Sequence, residues 1–268
     1  MRRLLLVLVP FVLVACTTGT DPAPPTASSP PKGDLAVLAE KIDQRRAELK
    51  TARFHTEGFA SDGASTEVRS VVDGTVRQEP EGITGTMAMT MTTAGQTRKM
   101  DLVIAREGLY VHVDGAPMPE GKKWGLYTSG NSSEVTALLR GFGPGATVGA
   151  ELDYVQPRAA LIVSKTSEPV DGVAATRYDL VVDPLKMAKV IKDADIQLQH
   201  TQLAEHGVAI NAVVWVDDAG TPVKAEYRFE LDGKVVKQST TRFTEWGGKF
   251  DVPLPPAAEV IPADQLPR

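Results

Sequence analysis

The chain has 268 residues, of which 42% are hydrophobic, 24% charged and 6% aromatic. This composition can fill a hydrophobic core, so it excludes a mostly disordered or collagen-like chain. The formal charge of −5 and the lack of a basic block in the folded part argue against a nucleic-acid partner, because phosphate binding needs a concentrated Lys and Arg surface. The single cysteine, Cys16, excludes an internal disulfide framework and a cysteine-built metal site.

The N-terminal segment carries the features of an export signal. Two arginines precede the apolar stretch Leu4–Val14, which is too short to span a bilayer but suits the hydrophobic region of a signal peptide. The stretch ends in Leu13-Val14-Ala15-Cys16, which resembles a bacterial lipobox, the motif in which the cysteine is diacylated and the chain is cut before it. We therefore expect residues 1–15 to be a lipoprotein signal peptide and Cys16 to carry the lipid anchor. The alternative is an ordinary signal peptide with a chance cysteine.

A change of composition separates this signal from the rest of the chain. After Cys16, residues up to 33 are mostly Pro, Ser, Thr, Ala and Gly without apolar periodicity, which predicts a disordered tether over 16–33. No second linker of this kind appears before the proline-rich C-terminus. The sequence therefore predicts one domain over 34–256 and a C-terminal tail over 257–268.

An amphipathic helix is predicted to open the domain, with Asp34 as its N-cap. Its apolar face consists of Leu35, Leu38, Ile42 and Leu49. Gly58 and the β-favouring residues after Arg53 are predicted to end it.

Strand patterns follow this helix. Residues 83–93 alternate strictly, with Met87, Met89 and Met91 on one face and mostly threonine on the other. Further strands are predicted over 98–105, 109–113 and 122–128.

Helices and strands mix in the middle of the chain. A short helix is predicted after Ser132 or Ser133, followed by the glycine-rich segment 141–149, which we interpret as a flexible lid or loop. A strand over 173–182 precedes Pro184, a residue suited to the first position of a helix. Residues 195–206 fit a helix or a strand.

The last third of the domain predicts a meander of three strands over 208–216, 223–231 and 234–245. Asp232-Gly233 between the last two is a strong hairpin signal. In the middle strand, apolar residues alternate with Lys, Glu and Arg, so one face is solvated and the other is covered. This pattern predicts an α+β domain, a large antiparallel sheet with helices over one side only.

These features together resemble the actinobacterial LppX/LprG-type lipoproteins, and more distantly the LolA carrier and the RseB sensor domain. The segments that carry the resemblance are the lipobox, the tether, the paired strands GLYVHVDG and KKWGLY within 108–127, and Val-Trp-Val-Asp at 214–217. The resemblance covers roughly residues 34–256. It implies an unclosed, strongly curved β half-barrel whose concave face is covered by helices and encloses an apolar cavity. Family members carry or sense acylated lipids, glycolipids or lipoproteins outside the cytoplasmic membrane.

Nine apolar residues are candidates for lining such a cavity. They are Met87, Met89, Met91, Leu102, Ile104, Tyr178, Leu180, Tyr227 and Phe229. Methionine suits this role because its side chain is flexible and polarisable and adapts to varied apolar shapes. The alternative is that these residues fill an ordinary core between sheet and helices, since a filled core and a lipid cavity produce the same alternation.

Catalytic motifs are absent from the sequence. The four histidines, His55, His112, His200 and His206, have no metal-ligand spacing. There is no GxSxG or SxxK motif and no phosphate-binding glycine loop. Asp217-Asp218 is followed by Ala-Gly between two strands, which favours a turn over a pair of catalytic carboxylates. We expect no enzymatic activity, no cofactor and no metal.

The sequence thus predicts a lipoprotein on the outer face of the cytoplasmic membrane that binds or carries acylated lipids or glycolipids. The alternative is a sensor or assembly lipoprotein that binds a protein partner through the same half-barrel with little or no cavity. A cell-wall enzyme would need a polar cluster inside the cavity.

Overall fold

The computed structural model describes residues 33–62, 66–80, 82–128 and 132–266. The predicted signal peptide, Cys16 and the tether as far as residue 32 lie outside the described residues. The described strands, numbered along the chain, are β1 (Thr51–Ser61), β2 (Glu67–Glu79), β3 (Gly82–Thr93), β4 (Gln96–Ala105), β5 (Gly108–Val113), β6 (Trp124–Thr128), β7 (Ala160–Ser167), β8 (Thr176–Val182), β9 (Ala209–Val216), β10 (Pro222–Leu231), β11 (Lys234–Thr244) and β12 (Val260–Pro262). The α-helices are α1 (Asp34–Leu49), α2 (Ser132–Gly141), α3 (Pro184–Val190) and α4 (Ala194–Glu205).

All twelve strands belong to one sheet, in the order β12-β6-β5-β4-β3-β2-β1-β11-β10-β9-β8-β7. The pairings are antiparallel, except that β12 runs parallel to β6. The two ends of this order, β12 and β7, do not pair with each other, so the sheet is an unclosed half-barrel. The predicted α+β architecture is confirmed, with one parallel edge strand added to the expected antiparallel sheet.

The strand register places the apolar residues of successive strands in rows on one face, the inner face. Phe243 of β11 pairs with Phe54 of β1, and Phe54 pairs in turn with Gly74 of β2. The same row continues through Met87 and Leu102. Because side chains alternate along a strand, these rows form the sheet half of the core.

Helices supply the other half of the core. Leu35, Leu38 and Ile42 of α1 are buried in the same cluster as the sheet residues, together with Leu139 of α2 and Met187 of α3. The amphipathic pattern therefore buries one side of each helix against the inner face. Within the described residues, every helix falls short of the length and apolarity required to cross a bilayer.

Two boundaries of the first helix differ from the prediction. Gly33 occupies the N-cap position and Asp34 is already helical, so no side-chain cap is present. The helix ends at Leu49 because Lys50 adopts a left-handed conformation with φ 61°. Gly58 plays no part in that ending, since it lies within β1.

The other predicted elements are reproduced with small shifts, and the ambiguous segment 195–206 is the helix α4. Asp183 caps α3 by accepting a hydrogen bond from the amide of Lys186, and Pro184 opens that helix as predicted. Asp232 and Gly233 have positive φ values of 52° and 73°, as a two-residue hairpin requires. Strands β1, β2 and β7 are additions to the predicted set.

The segment after residue 256 also joins the sheet. Val260, Ile261 and Pro262 form β12 and pair with Trp124, Gly125 and Leu126. The backbone amide of Lys123 donates to the carbonyl of Glu259 at 2.9 Å. The region predicted as a tail therefore contributes an edge strand.

Candidate functional site

A cavity of about 820 Å³ lies between the inner face and the helices. One wall is formed by β10 and β11, and the others come from α1, α2, α3, α4 and the segment 143–156. Its volume falls within the range of about 300–1,000 Å³ that is usual for small-molecule sites.

The helical wall of the cavity combines apolar and polar residues. Its apolar residues are Leu152, Val155, Met187, Val190, Ile191 and Ile196. Met187 is buried in the core, whereas Val190 and Ile191 are half-buried. Pro184 opens α3 and Asp193 caps α4, and the short loop 191–193 between the two helices positions these side chains.

The sheet wall is aromatic. Tyr227 and Phe229 of β10 lie with their ring centroids 5.2 Å apart. Tyr154, from the 3-10 helix Ala150–Tyr154, approaches Tyr227 at 5.3 Å and Phe229 edge-on at 6.1 Å. Contacts of this geometry add stability beyond area burial, so the three rings form a fixed surface on which a ligand can lie.

Two residues of β11, Lys237 and Ser239, complete the sheet wall. Lys237 pairs with Phe229 across the ladder, and its Nζ lies 5.5 Å from the Phe229 ring centroid and 5.8 Å from that of Tyr227. Burial lowers the pKa of Lys237 because it penalises the ammonium. A basic side chain thus lies beside the two aromatic rings of β10.

Glu151 lies behind this wall and is only 2% exposed. The hydroxyl of Ser239 donates a hydrogen bond of 2.5 Å to Glu151 Oε1. Desolvation raises the pKa of Glu151, and the Ser239 hydrogen bond only partly opposes it. The protonated carboxyl is therefore favoured, and Glu151 places little negative charge near the cavity.

His200 of α4 is buried beside the aromatic cluster, 6.1 Å from Tyr154. Its Nδ1 lies 2.9 Å from the backbone oxygen of Ile196, which can only accept, so Nδ1 carries the proton. Desolvation lowers the pKa of His200, and the positive charge of Lys237 lowers it further. The ring is therefore neutral near physiological pH.

Charged residues pair around the remainder of the cavity. Arg140 Nη2 donates to Asp193 Oδ2 at 3.0 Å, which links α2 to α4. Desolvation raises the pKa of Asp153 to about 6, while Arg46 acts in the opposite direction and Asp43 adds to the rise. Most charges in this region thus have a neighbour of opposite sign.

The glycine-rich segment 141–149 forms part of the cavity wall. Pro144, Gly145 and Ala146 are buried against the sheet, and the hydroxyl of Ser70 donates a short hydrogen bond to the carbonyl of Pro144. A Cβ added at Gly58 would lie 2.6 Å from that carbonyl oxygen. The segment, which was predicted to be a flexible lid or loop, is a loop after α2 whose centre packs directly on β1 and β2.

The structure separates the nine candidate cavity residues into two groups. Tyr227 and Phe229 line the 820 Å³ cavity. Met87, Met89, Leu102, Ile104 and Leu180 are buried in the core, while Met91 and Tyr178 are half-buried and pack against it. The methionines of β3 thus do not line the cavity, although Met89 and Met91 lie beside Gly143, which does.

The polar residues at the cavity were not identified as site residues from the sequence, and they include Glu151, His200, Lys237 and Ser239. One signal was available for two of them, because counting back in steps of two from Phe243 places Ser239 and Lys237 on the inner face. Glu151 and His200 carried no such signal. Their burial depends on how the 3-10 helix and α4 lie on the sheet.

The histidines outside the cavity make local contacts. His55 Nδ1 lies 2.8 Å from Asp73 Oδ1, and His112 Nδ1 lies 2.8 Å from the carbonyl oxygen of Lys123. Within the ranges that the structure describes, no three His, Cys, Asp or Glu residues are grouped so that they could hold a metal ion.

Comparison with known proteins found no matching family model and no matching curated protein. Among solved structures, a chain of the MucA/MucB complex from Pseudomonas aeruginosa aligns with 80% of this chain at 12% identity and a TM-score of 0.32. The alignment covers 56% of that chain, so the present chain spans little more than half its length.

Two further structures cover most of both chains. A LolA superfamily protein from Nitrosomonas europaea aligns with 79% of this chain and 91% of its own at 11% identity and a TM-score of 0.27. A DUF1329 family protein from Desulfovibrio piger aligns with 78% and 90% at 9% identity and a TM-score of 0.27. Values this low assign neither family nor function, so the description of the fold rests on the strand order and register given above.

Proposed function

We propose that this protein is a membrane-anchored extracytoplasmic lipoprotein that binds or carries an acylated lipid or glycolipid and has no enzymatic role. The observation that carries the proposal is the 820 Å³ cavity, with an aromatic sheet wall facing the apolar residues of α3 and α4. Burial of an acyl chain there contributes about 0.8 kcal/mol per methylene. Such a cavity can hold a hydrocarbon chain that is poorly soluble in water.

The polar groups of the cavity also favour binding over catalysis. Ser239 is hydrogen bonded to Glu151, whose pKa is raised by burial, which favours the protonated carboxyl. A protonated carboxyl lacks the negative charge that makes a carboxylate an effective general base. His200 is neutral, and its protonated nitrogen is held by the Ile196 carbonyl.

Membrane attachment is proposed from the sequence alone. The lipobox at Cys16 would place two or three acyl chains at the N-terminus, and more than one chain is needed for stable anchoring. The resemblance to LppX/LprG-type lipoproteins favours the outer face of the cytoplasmic membrane. In cells supplied with labelled palmitate, the wild-type chain and Thr17→Ser should both carry the label, whereas Cys16→Ser should not. Labelling of C16S protein, or an unlabelled wild type, would contradict the anchor.

The cavity is tested by filling it. In the full chain carrying C16S, Val190→Trp adds a large side chain to the helical wall, and we expect the affinity for a fluorescent acyl probe to fall at least about tenfold. Leu161→Trp is the matched control, because Leu161 is 71% exposed on β7, and it should leave binding unchanged. Native mass spectrometry and solvent extraction of the unfilled protein should identify the bound lipid. Uniformly ligand-free protein that takes up no acyl probe would overturn the proposal.

A second candidate function, binding of a protein partner, is favoured by the edge of the sheet. Leu161 and Val163 of β7 are 71% and 62% exposed, and Val181, which pairs with Leu161, is 47% exposed. Exposed apolar residues on an unpaired edge are suited to adding a strand from another chain. Loss of a stoichiometric partner from pull-downs with Leu161→Lys, combined with no acyl binding, would favour this function over the first.

A further inference from the structure

The charge on Lys237 stands out among the groups around the cavity. Its side chain projects from the inner face beside Phe229 and Tyr227, with the Nζ–ring distances of 5.5 and 5.8 Å given above. Among the described residues, no Asp or Glu forms an ion pair with it and no protein oxygen accepts a hydrogen bond from it. An ammonium has three donors, and aromatic faces satisfy its charge without accepting conventional hydrogen bonds.

The neighbouring charges do not neutralise Lys237. Arg140 pairs with Asp193 at 3.0 Å, and the charge of Arg46 acts on Asp153. Glu151, the acid nearest to the sheet wall, favours its protonated form. Asp43 and Lys192 line the cavity from exposed positions and have opposite signs. The positive charge of Lys237 at the sheet wall is therefore not balanced by a neighbouring carboxylate within the described part of the chain.

We propose that Lys237 binds the oxyanion of a ligand headgroup, so that the cavity selects anionic amphiphiles, carboxylates or phosphate monoesters, over neutral and cationic ones. This inference rests on the proposed function, because it specifies the ligand of the same cavity. The headgroup lies at the sheet wall between the aromatic rings, and the hydrocarbon lies against Met187, Val190 and Ile191. A charge-assisted hydrogen bond at this half-buried position is stronger than one in water.

The orientation follows from the two walls. Met187, Val190 and Ile191 offer nothing to an anion, whereas the sheet wall carries the ammonium and the Tyr227 ring. Arg140 and Lys192 also line the cavity, but Arg140 is paired with Asp193 and Lys192 is exposed. With the anion on β11, the charge of the ligand meets Lys237 and its hydrocarbon lies on the apolar residues of the opposite wall, whereas the reverse orientation places the hydrocarbon on the ammonium.

The test uses four probes with the same chain and different headgroups: hexadecanoate, hexadecyl phosphate, hexadecanol and hexadecyltrimethylammonium. In the full chain carrying C16S, we expect each anion to bind at least about tenfold more tightly than hexadecanol. Lys237→Met keeps most of the side-chain volume and should remove this preference while changing hexadecanol affinity less than about twofold. Lys237→Arg should retain it. The tighter of the two anions identifies the headgroup as carboxylate or phosphate.

Lys234→Met is the matched control for general attraction, because Lys234 carries the same charge on the same strand but is exposed and lies outside the cavity lining. We expect it to leave the preference for anions in place, and about 1 M salt should weaken that preference only slightly because the contact is half-buried. Equal binding of anions and hexadecanol, or an unchanged preference in Lys237→Met, would overturn the inference and leave the proposed function standing. Absence of binding by all four probes would overturn both.

Discussion

Burial of Glu151 couples the stability of the domain to pH at the scale of a single residue. Its side chain is almost fully buried, and desolvation raises its pKa above the ordinary value of 4.5. In the unfolded chain the same carboxyl ionises near that ordinary value. The folded state therefore binds more protons, so this contribution to stability is complete below pH 4.5 and is lost as the pH rises towards the folded-state pKa.

Glu151→Gln should remove this dependence. The amide is neutral at all pH values and its oxygen can still accept from the Ser239 hydroxyl. At about pH 7 we expect the free energy of unfolding to exceed that of the wild type by more than the ~0.5 kcal/mol typical of a neutral surface change. The gain should shrink at about pH 4, as measured by urea unfolding at both pH values.

Two further residues serve as references for the urea-unfolding comparison of Glu151→Gln with the wild type. Glu120→Gln alters an exposed residue and should change stability by less than ~0.5 kcal/mol at either pH. Asp153, whose pKa is about 6, remains in every variant. The pH dependence of stability that Asp153 causes between pH 3.8 and 6 therefore persists in Glu151→Gln. A variant less stable than the wild type at both pH values would contradict the assignment of a protonated Glu151.

Gly58 determines how closely the chain packs over β1. A Cβ at this position would meet the Pro144 carbonyl oxygen at 2.6 Å and would also collide with the Ser70 hydroxyl. We expect Gly58→Ala to lower the free energy of unfolding by about 1–3 kcal/mol, the range for overpacking a filled interior. Gly141→Ala, with no atom within 4 Å of the added carbon, should cost nothing. Equal urea midpoints for the two variants would contradict the close packing.

At the scale of elements, Asp193 serves two structures at once. Its carboxylate caps α4 by accepting from the amides of Asp195 and Ile196 at 3.0 and 3.1 Å. It also pairs with Arg140 of α2. The Arg140 contact is the larger cause of the lowered pKa of Asp193, followed by the Ile196 amide. Its contribution to stability is therefore present above the ordinary value of 3.8 and is lost as the pH falls through the folded-state pKa.

Substitutions at Asp193 should separate the cap from the ion pair. Asp193→Asn retains a capping oxygen and should cost about 0–1 kcal/mol, as for a partly exposed ion pair. Asp193→Ala also loses the cap and should cost a further 0.5–2 kcal/mol or so. Urea unfolding gives both values, and hydrogen exchange should quicken in the first turn of α4 only in the alanine variant. Equal losses for the two variants would indicate that the cap contributes nothing.

The elements that sequence reasoning predicted are those with a simple apolar period. Met87 and Met89 on β3, and Tyr227 and Phe229 on β10, revealed their strands because every second residue is large and apolar. The inner face of β1 instead carries Thr56 and Gly58, which gives no apolar period.

A physical reason explains these small and polar residues. The inner positions of β1 and β2 include Thr56, Gly58 and Ser70, which contact Pro144 and Gly145 directly. Backbone packed on a sheet requires small side chains and hydrogen-bond donors beneath it. The apolar alternation that marks a strand is therefore lost where the cavity wall is anchored. On β7 the signal fails for the opposite reason, because its apolar residues Leu161 and Val163 face solvent.

The candidate site was predicted to a smaller extent than the fold. Composition and alternation identified Tyr227 and Phe229, two of the residues that line the cavity. The position of the cavity over β10 and β11 depends on the 3-10 helix and on α4, whose packing is a tertiary property. Lys237 is the basis of the proposed headgroup specificity. It could be assigned to the cavity only from the strand register, which places it opposite Phe229.

At the scale of the whole molecule, the sheet is open and its two edges are stabilised differently. The β7 edge exposes apolar residues, whereas the other edge is extended by β12 from the end of the chain. Ile261 of β12 is buried, and Leu266 packs so closely over Gly125 of β6 that an added Cβ would lie 2.8 Å from its Cδ1. The last residues of the chain therefore cover a strand that belongs to the middle of the sequence.

Truncation after Pro256 should expose β6 as the new edge. Loss of the buried Ile261 side chain alone corresponds to about 1.5–3 kcal/mol, so we expect the free energy of unfolding to fall by about that amount. Hydrogen exchange should accelerate at Trp124, Gly125 and Leu126, which pair with β12. Amides of β1, at the centre of the sheet order, should keep their relative protection.

Glu259→Gln is the matched control for this truncation, because it removes the 2.8 Å ion pair with Lys123 but leaves β12 in place. An exposed pair of this kind contributes about 0–1 kcal/mol, so the variant should retain slow exchange along β6. If truncated protein exchanged at the wild-type rate at Trp124 and Leu126, the parallel pairing of β12 would not protect the edge. If truncation instead unfolded the whole sheet, the edge strand would be part of the cooperative core, since stability in an open sheet otherwise decreases locally towards its free edge.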